Sequence, residues 1–349
     1  MDSTLLAQIL EQDNQPDYRR RQIETDVFGH LISDWAQATD LPAALRTKLT
    51  ECVPLSTIEA IDSGESRRGD STKVVFRLTD GEMIESVLMR HNDGRNTICV
   101  SSQAGCPMRC AFCATGRSGF RRNLTVDEIV DQVLYFARRL NRNDQRVSNV
   151  VFMGMGEPFH NYDAVLSAAR IMNAETGLGI AARRISISTC GLIPGIERLT
   201  NEPLQLNLAI SLHAPNDKLR SQIMPVNEAY PLTDLLSAVR TYVTKTRRKV
   251  MFEYLLLDGV NDSLEQAEQL AELLFDSPLF HVNLIRFHRT GDFRPSPKSR
   301  RDDFLLRLKS KGISATHRVS FGEDIKAACG MLATNAKSAT KKMERKPNR

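Results

Sequence analysis

The stretch CVSSQAGCPMRCAFCATGRSGFRRN, residues 99–123, holds four of the seven cysteines of the 349-residue chain. Three of them, Cys106, Cys110 and Cys113, form a C-x3-C-x2-C triplet, whereas Cys99 lies seven residues upstream. Three thiolates in so short a loop describe a metal or cluster site with one coordination position left open. The questions are which metal the triplet holds and what the open position is for.

The spacing of the triplet favours an iron–sulfur cluster over a structural zinc ion. A closed zinc site takes four ligands, usually from two separated Cys-x2-Cys pairs or from a mixture of Cys and His. The triplet has no second pair, and its nearest spare thiol is that of Cys99. Phe112, directly before the third cysteine, would supply apolar cover that limits solvent access to a cluster. Zinc is the open alternative at this point.

The composition is that of an ordinary globular protein, with 41% hydrophobic and 26% charged residues. No apolar run is long enough to span a membrane, and the N-terminal MDSTLLAQILEQD lacks the features of a secretory signal. We therefore expect a cytoplasmic protein, in which an odd number of cysteines indicates metal or catalytic chemistry rather than a disulfide framework. The net charge of +5 permits a nucleic-acid partner without demonstrating one.

From residue 97 onward, apolar and β-branched runs alternate with helical patterns. The predicted strands are residues 97–102, 148–153, 183–189, 204–211, 249–257 and 281–287. Strands separated by helices of this length form βα units and a parallel sheet. Because six units are too few for a closed eight-unit barrel, we expect an α/β fold with an incomplete (βα)6 TIM-like barrel; a doubly wound open sheet is the competing architecture. In both, the site lies at the carboxyl ends of the strands.

The rest of the chain divides by composition and pattern. The segment from Tyr18 to Trp35 has helical apolar spacing, and Asp80-Gly81 lies between two alternating runs, which predicts a β-hairpin. The predicted divisions are a helical accessory domain at 1–55, a small β-element at 56–91, the core at 92–324, a short cysteine-containing segment at 325–335 and a disordered basic tail at 336–349.

A second motif follows the second predicted strand. The sequence FMGMGEP, residues 152–158, contains two glycines, a carboxylate and a proline. Glycines at a strand end let the backbone approach a ligand closely, and Glu157 can accept hydrogen bonds from a ligand ammonium group. The motif is not a dinucleotide fingerprint, because the third glycine and the helix start are absent. Taken alone, it could also be an ordinary βα turn.

The triplet after the first strand, GMGEP after the second and the βα repeat together resemble the radical SAM superfamily. Over residues 15–335, CVSSQxGC, NLTVDEIVDQV, FMGMGEP, ISISTCG, SLHAPND, MPVN, LLDGVND and DIKAACG occur in family order. They resemble the RlmN family of adenosine-methylating RNA methyltransferases, with its Cfr relatives. The resemblance implies a radical SAM barrel and an enzyme that acts on RNA.

The resemblance also implies the cofactors. The triplet would bind one [4Fe-4S] cluster, whose open iron holds the amino and carboxylate groups of S-adenosyl-L-methionine, and an electron donor such as flavodoxin or ferredoxin would reduce it. The residues that match the family's cofactor pocket are Gly156, Glu157, Ser188, Ser211, Leu212, His213 and His288. His288 departs from the pattern, because the family has asparagine there, followed by a proline that this chain lacks.

The resemblance assigns three catalytic residues. Cys329 matches the cysteine that becomes S-methylcysteine, loses hydrogen to a 5′-deoxyadenosyl radical and forms a crosslink with adenine. Glu85 matches the proton acceptor, and Cys99 matches the resolving cysteine, which forms a transient disulfide with Cys329. Sequence pattern alone predicts otherwise: Glu85 would be a solvent-facing strand residue, and Cys329, beside two alanines, a buried small residue.

We therefore expect methylation of a ring carbon of adenosine in 23S ribosomal RNA, with transfer RNA as a further candidate substrate. Carbon 2 is preferred because SLHAPND and LLDGVND resemble RlmN. NQPDYRRRQI, DQVLYF and HVNLIRF resemble the Cfr branch, which acts on carbon 8. The alternative of another class is a zinc-stabilised RNA-binding protein without redox chemistry. We expect a monomer that does not associate with membranes.

Overall fold

The computed structural model describes residues 1–332. The predicted tail at 336–349 and the end of the predicted segment 325–335 lie outside the described residues. Within residues 1–332, no helix combines the length and the apolar character needed to cross a membrane.

The chain alternates strands and helices throughout its larger part. The strands are β1 (Ile58–Glu65), β2 (Ser71–Leu78), β3 (Met83–Arg90), β4 (Asn96–Cys99), β5 (Gln103–Gly105), β6 (Phe120–Asn123), β7 (Asn149–Phe152), β8 (Ile185–Thr189), β9 (Asn207–Ser211), β10 (Val250–Leu256), β11 (Phe280–Arg286) and β12 (Ala315–His317). The α-helices are α1 (Ser3–Gln12), α2 (Asp17–Glu24), α3 (Ala43–Cys52), α4 (Ala114–Ser118), α5 (Val126–Asn141), α6 (Tyr162–Asn173), α7 (Ile193–Thr200), α8 (Asp217–Ile223), α9 (Leu232–Thr246), α10 (Leu264–Leu274) and α11 (Lys298–Ser310).

Ten of these strands form one sheet in the order β1-β2-β3-β4-β7-β8-β9-β10-β11-β12. From β4 to β12, neighbouring strands run parallel. Each strand is added on the same side of the previous one, so right-handed crossovers place the connecting helices on one face of the sheet. The strand order never reverses. The prediction of an incomplete barrel is therefore confirmed, and the doubly wound alternative is wrong.

The sheet differs from the prediction at both of its ends. At one end, β12 is a parallel strand that was not predicted; it has three residues, which is too short for a periodic pattern to reveal. At the other end, β2 and β3 form the predicted hairpin, and Gly81 adopts the positive φ of 87° that its turn requires. This hairpin and β1 extend the main sheet, because β3 pairs antiparallel with β4.

The helical prediction for Tyr18 to Trp35 is wrong in its second half. The α-helix ends at Glu24, a single π-helical turn follows over Thr25–Gly29, and Leu31 adopts a left-handed φ of 56° that no helix tolerates. Trp35 is buried, and its indole Nε1 donates a 2.7 Å hydrogen bond to the carbonyl of Val53. Trp35 thereby stabilises the end of α3, and it is not part of α2.

The face of the sheet opposite the helices carries several polar side chains. Residues that are in register on neighbouring parallel strands point to the same face. Cys99 is paired with Val151, and Glu253 is paired with both Ser211 and Asn283. These positions alternate with the apolar residues that pack under the helices. The barrel interior is therefore partly polar, as a ligand site requires.

Arg220 on α8 ties the carboxyl ends of β8 and β9 together. Its side chain is fully buried. The guanidinium donates to the carbonyls of Cys190 at 2.6 Å, Leu212 at 3.2 Å and Ser211 at 3.3 Å, and to the side-chain oxygen of Asn227 at 2.8 Å. A buried cation is tolerated only when its donors are satisfied in this way. The arrangement fixes the loops that follow both strands.

We expect Arg220→Met to lower the free energy of unfolding by roughly 2–4 kcal/mol, because it leaves buried acceptors without donors. Thermal unfolding followed by circular dichroism should show a fall in the midpoint of about 5 °C or more. The control is Arg240→Met, which removes an ion pair with Asp276 from a half-exposed site and should change the midpoint by about 1 °C or less. Equal midpoints for the two variants would contradict the role of Arg220.

Candidate active site

The three cysteines of the triplet line one cavity at the carboxyl ends of the parallel strands. Cys106 and Cys110 are buried, and Cys113 is partly exposed. The loop is closed by backbone hydrogen bonds from Cys106 to the carbonyl of Gly119 and from Cys113 to that of Cys110, both 3.0 Å long. The ribbon of β5 and β6 supports its two ends. The chain thus brings the three thiols to one cavity from a single loop.

The donor set fits an iron–sulfur cluster. Burial raises the pKa of Cys106 to about 12 and that of Cys110 well above the ordinary value, so binding of a metal would release protons. Within residues 1–332, no group of three or more His, Cys, Asp or Glu side chains is arranged to hold a metal ion, so the fit rests on donor chemistry. Soft thiolates are the ligands of iron–sulfur clusters.

The glycines of GMGEP allow two loops to meet at this cavity. A side chain on Gly154 would place its Cβ 2.6 Å from the carbonyl oxygen of Val100, and one on Gly156 would place it 2.6 Å from Cβ of Gln103. Gly156 also has a φ of 103°, which side chains disfavour. The segment after β7 therefore lies directly on the segment that leads to the triplet.

Glu157 is a buried carboxylate that the backbone holds in place. Oε1 accepts a 2.9 Å hydrogen bond from the amide of Phe159, and Oε2 accepts one of 2.8 Å from that of Cys190. Burial raises the pKa of Glu157, and these amide donors oppose the rise. The carboxylate lines the cavity, where it can accept a hydrogen bond from a cationic ligand group.

Ser188, Ser211 and His213 line the same cavity. The two serine hydroxyl oxygens lie 3.4 Å apart. Nδ1 of His213 accepts a 3.0 Å hydrogen bond from the amide of Leu255, and burial, with the charge of Arg220, lowers the pKa of His213 to about 3. The imidazole is therefore neutral near pH 7 and carries its proton on Nε2.

Two residues expected in the cofactor pocket lie elsewhere. Leu212 is fully buried in the apolar core, and its side chain does not line the cavity. His288 lines a second, adjacent cavity. There its Nδ1 lies 3.1 Å from the carboxylate of Glu323. Contact of His288 with the cofactor stays a prediction.

The second cavity brings together Cys99 and Cys329, which are 230 positions apart in the sequence. Its volume is about 40 Å³, roughly enough for one or two water molecules. The residues that line both cavities are Met153, Ile285, Arg318, Cys329 and Leu332. Cys329 therefore lies in the wall between the triplet and Cys99. It is exposed, so its description as a buried small residue is wrong.

Cys99 is buried at the end of β4. Burial, with a smaller contribution from the neighbouring Cys329, raises the pKa of its thiol to about 12, and the guanidinium of Arg318 opposes the rise. The backbone amide of Met153 also opposes it. The thiol of Cys99 is therefore protonated near neutral pH.

Glu85 lies on the same face of the sheet as Cys99. Val87 is in register with Cys99, and Glu85 is two residues before Val87 on β3. The side chain of Glu85 is buried and lies 3.3 Å from Nζ of Lys73, so the prediction of a solvent-facing residue is wrong. Lys73 also donates to the carbonyl of Lys326, so the segment before Cys329 covers this part of the sheet.

Sequence reasoning missed three residues at the cavities: Arg318, Glu253 and Met153. Arg318 bridges the other two, with Nη1 3.2 Å from Oε2 of Glu253 and both terminal nitrogens 3.2 Å from Sδ of Met153. It follows directly after β12, the strand that the pattern did not reveal. Glu253 is a charged residue within the apolar run of β10, and that interruption was a signal that it faces the barrel interior.

The family model described as the radical SAM superfamily matches residues 100–274. The chain is 46% identical over 342 residues to a protein from Chloroflexus aurantiacus named probable dual-specificity RNA methyltransferase RlmN, with 94% of this chain and 90% of the relative covered. A protein of the same name from Geobacillus thermodenitrificans is 46% identical over 317 residues, which cover 90% of this chain and 86% of the relative.

A solved structure has the same architecture. It is that of a radical SAM methyltransferase from Sphaerobacter thermophilus, with 46% sequence identity and a TM-score of 0.90, over 94% of this chain and 96% of that one. Sequence identity of this extent covers nearly the whole chain, and the solved structure shares its overall fold. The chain belongs to the RlmN family of radical SAM RNA methyltransferases, which use S-adenosylmethionine and an iron–sulfur cluster.

Proposed function

We propose that this enzyme methylates a ring carbon of adenosine in 23S ribosomal RNA, with carbon 2 preferred and transfer RNA as a second substrate. The observation that carries the proposal is that Cys329 lines both the cavity of the triplet and the cavity of Cys99. A methyl group carried by Cys329 would be next to a cofactor on one side and next to a resolving thiol on the other. Membership of an enzyme family makes the alternative of a zinc-stabilised RNA-binding protein wrong.

The chemistry of adenine explains why the methyl group needs a carrier. Carbons 2 and 8 of the ring are electron-poor, so neither can attack the methyl carbon of a sulfonium directly. A thiol can, and covalent catalysis of this kind divides a difficult reaction into easier steps. The exposed Cys329 is suited to accept the methyl group, and its exposure leaves access for an RNA base.

The first cavity would hold the cofactors. Cys106, Cys110 and Cys113 would ligate a [4Fe-4S] cluster, which supplies the electron for radical chemistry when it is reduced by flavodoxin or ferredoxin. Glu157 would accept a hydrogen bond from the ammonium group of S-adenosylmethionine. The glycines of the motif give that ligand backbone access, and the hydroxyl groups of Ser188 and Ser211 and the Nε2–H of the neutral His213 supply further polar contacts.

The second cavity would complete the reaction. Once the methylene carbon joins Cys329 to adenine, the ring carbon would lose one electron, for which a cluster held by the triplet would be the acceptor, and one proton, which Glu85 would accept. The thiolate of Cys99 then attacks the sulfur of Cys329, so that a disulfide forms and the methylated RNA leaves. The shared sheet face of Glu85 and Cys99 and the cavity that both thiols line support this division of roles.

The relatives support two RNA substrates, since they are named dual-specificity RNA methyltransferases. Carbon 2 is proposed over carbon 8 because SLHAPND and LLDGVND resemble the RlmN branch, whose name these relatives carry. We propose that the protein works as a cytoplasmic monomer.

We expect Cys106→Ala to abolish stable cluster binding, because two thiolates in the loop cannot hold the cluster that three do. Protein purified without oxygen should lose its brown visible absorption and its bound iron. Cys52→Ala is the matched control, since Cys52 is an exposed cysteine at the end of α3, and it should keep the full iron content. An iron content in Cys106→Ala equal to that of the control would remove Cys106 from the ligand set.

We expect Cys99→Ala to accumulate a covalent protein–RNA adduct at Cys329, because the attacking thiol is gone. Cys329→Ala should form neither the adduct nor methylated RNA. Gel electrophoresis of turnover mixtures with labelled RNA, followed by peptide mass spectrometry, distinguishes these outcomes, and Cys52→Ala again serves as control. Free product released by Cys99→Ala at the normal rate would exclude Cys99 from resolution.

We expect 2-methyladenosine in ribosomal and transfer RNA from cells that contain the enzyme, and none at the same positions in cells that lack it. Nucleoside mass spectrometry with chromatographic standards separates the carbon-2 and carbon-8 isomers. An 8-methyladenosine product would overturn the preference for carbon 2, and unmodified transfer RNA would restrict the substrate to ribosomal RNA.

A further inference from the structure

Arg318 is the charged residue in the wall between the two cavities. Its side chain is 24% exposed, and its backbone amide donates a 2.9 Å hydrogen bond to the carbonyl of Leu284. Nη1 lies 3.2 Å from Oε2 of Glu253, which is itself held by Nδ2 of Asn283 at 2.9 Å. Arg318 is therefore held both at its backbone and at its guanidinium, which remains charged at any ordinary pH.

We propose that Arg318 is a positioning residue that serves the two thiols in turn: it stabilises the thiolate of Cys329 before methyl transfer and the thiolate of Cys99 before resolution. This inference rests on the proposed function of the two cysteines. It gives one fixed cation a part in two separate steps of the reaction. The sequence pattern did not single out this residue.

The contacts favour this role over a purely structural ion pair. Arg318 lines both cavities, and each of the two thiols lines a cavity with it. Burial opposes the charge of Arg318, but Glu253, Cys329 and Cys99 together hold its pKa above the ordinary value. The charges that act on Cys99 are those of Cys329 and Arg318. Arg318 therefore shares a cavity with each of the two thiols, in addition to its pairing with Glu253.

Other charged groups lie in the same region, but they are paired with one another, and none of them lines both cavities, as Arg318 does. Lys73 is paired with Glu85, and Arg286 and His288 approach the carboxylate of Glu323. Besides the triplet, the charged and titratable groups of this region include Lys73 and Glu85 from β2 and β3, His91 after β3, Glu157 after β7, His213 after β9, Glu253 from β10, Arg286 and His288 at the end of β11, and Glu323 before Cys329.

Both steps balance with the groups named. In the first, a lone pair of the Cys329 thiolate forms a bond to the methyl carbon, and the broken carbon–sulfur bond leaves its electron pair on the sulfonium sulfur. In the second, the Cys99 thiolate forms the disulfide, the bond between Cys329 and the methylene carbon breaks, and that carbon takes the electron pair and a proton. The two cysteines are oxidised by two electrons, and the methylene group is reduced to methyl.

The first step can be measured alone, because displacement needs no reductant. Cluster-loaded enzyme is mixed with S-adenosylmethionine without oxygen and without electron donor, and the appearance of methyl on Cys329 is followed by peptide mass spectrometry from pH 6 to 9. Arg318→Gln, which keeps polar contacts and loses the charge, should slow methylation about 10- to 100-fold at pH 7. Its rate should recover as the pH rises, because more thiolate forms. Arg318→Lys should restore most of the rate at pH 7.

Arg90→Gln is the matched control. Arg90 is 28% exposed and paired with Glu65, much as Arg318 is 24% exposed and paired with Glu253, but it lies on the opposite face of β3 from Glu85. It should leave the pH profile unchanged. Arg318→Gln and Arg318→Lys both lose the guanidinium, so a difference in pH profile between them reports the charge even if both lower stability.

The outcomes separate this inference from the proposed function. Absence of methyl on Cys329 in the unmodified enzyme would refute the methyl-carrier function itself. Normal methylation in the unmodified enzyme with the same rate and pH profile in Arg318→Gln would overturn the role of Arg318. A rate lowered equally at every pH, and equally in Arg318→Lys, would assign Arg318 to structure alone and would also overturn it.

Discussion

The close contact between the segment after β4 and the segment after β7 is the constraint on which the site depends. Ser102 and Gln103 donate backbone hydrogen bonds to the carbonyl of Met155, at 2.8 and 3.2 Å, and Gly154 donates one of 3.1 Å to Val100. The side-chain oxygen of Gln103 accepts a further bond from the amide of Glu157. Without this contact, the cysteine loop and the glutamate would not border the same cavity. Only glycine at 154 permits the approach, which explains the unusual composition of the motif.

The barrel supplies the second requirement, which is a polar interior reached from strands that are distant in sequence. Consecutive parallel strands carry Ser188, Ser211 and Glu253 to one side of the sheet. The buried Arg220 then fixes the loops after two of these strands through carbonyl oxygens instead of carboxylates. Its charge remains available to the electrostatics of the cavity, where it lowers the pKa of His213 and opposes the rise at Cys110.

The sequence predicted the parallel sheet, the hairpin and the cysteine loop because each has a strong local signal: periodicity, a turn dipeptide or a fixed spacing. Other features depend on tertiary packing and have none. The seventh parallel strand has three residues, α2 ends at Glu24 although the apolar spacing continues to Trp35, and the motif of Leu212 does not reveal its burial in the core. The family position of His288 predicted that it lies in the cofactor pocket. In the structure it lines the cavity of Cys99.

The burial of Cys99 has a consequence for the enzyme at rest. A thiol with a pKa of about 12 is almost wholly protonated in neutral solution, and protonated thiols react slowly with peroxides, oxygen-derived oxidants and other disulfides. If Cys99 were a thiolate, it would form a disulfide with the exposed Cys329 more readily, even without RNA. Because burial keeps the thiol of Cys99 protonated, we expect it to react slowly with oxidants and with Cys329 before RNA binds.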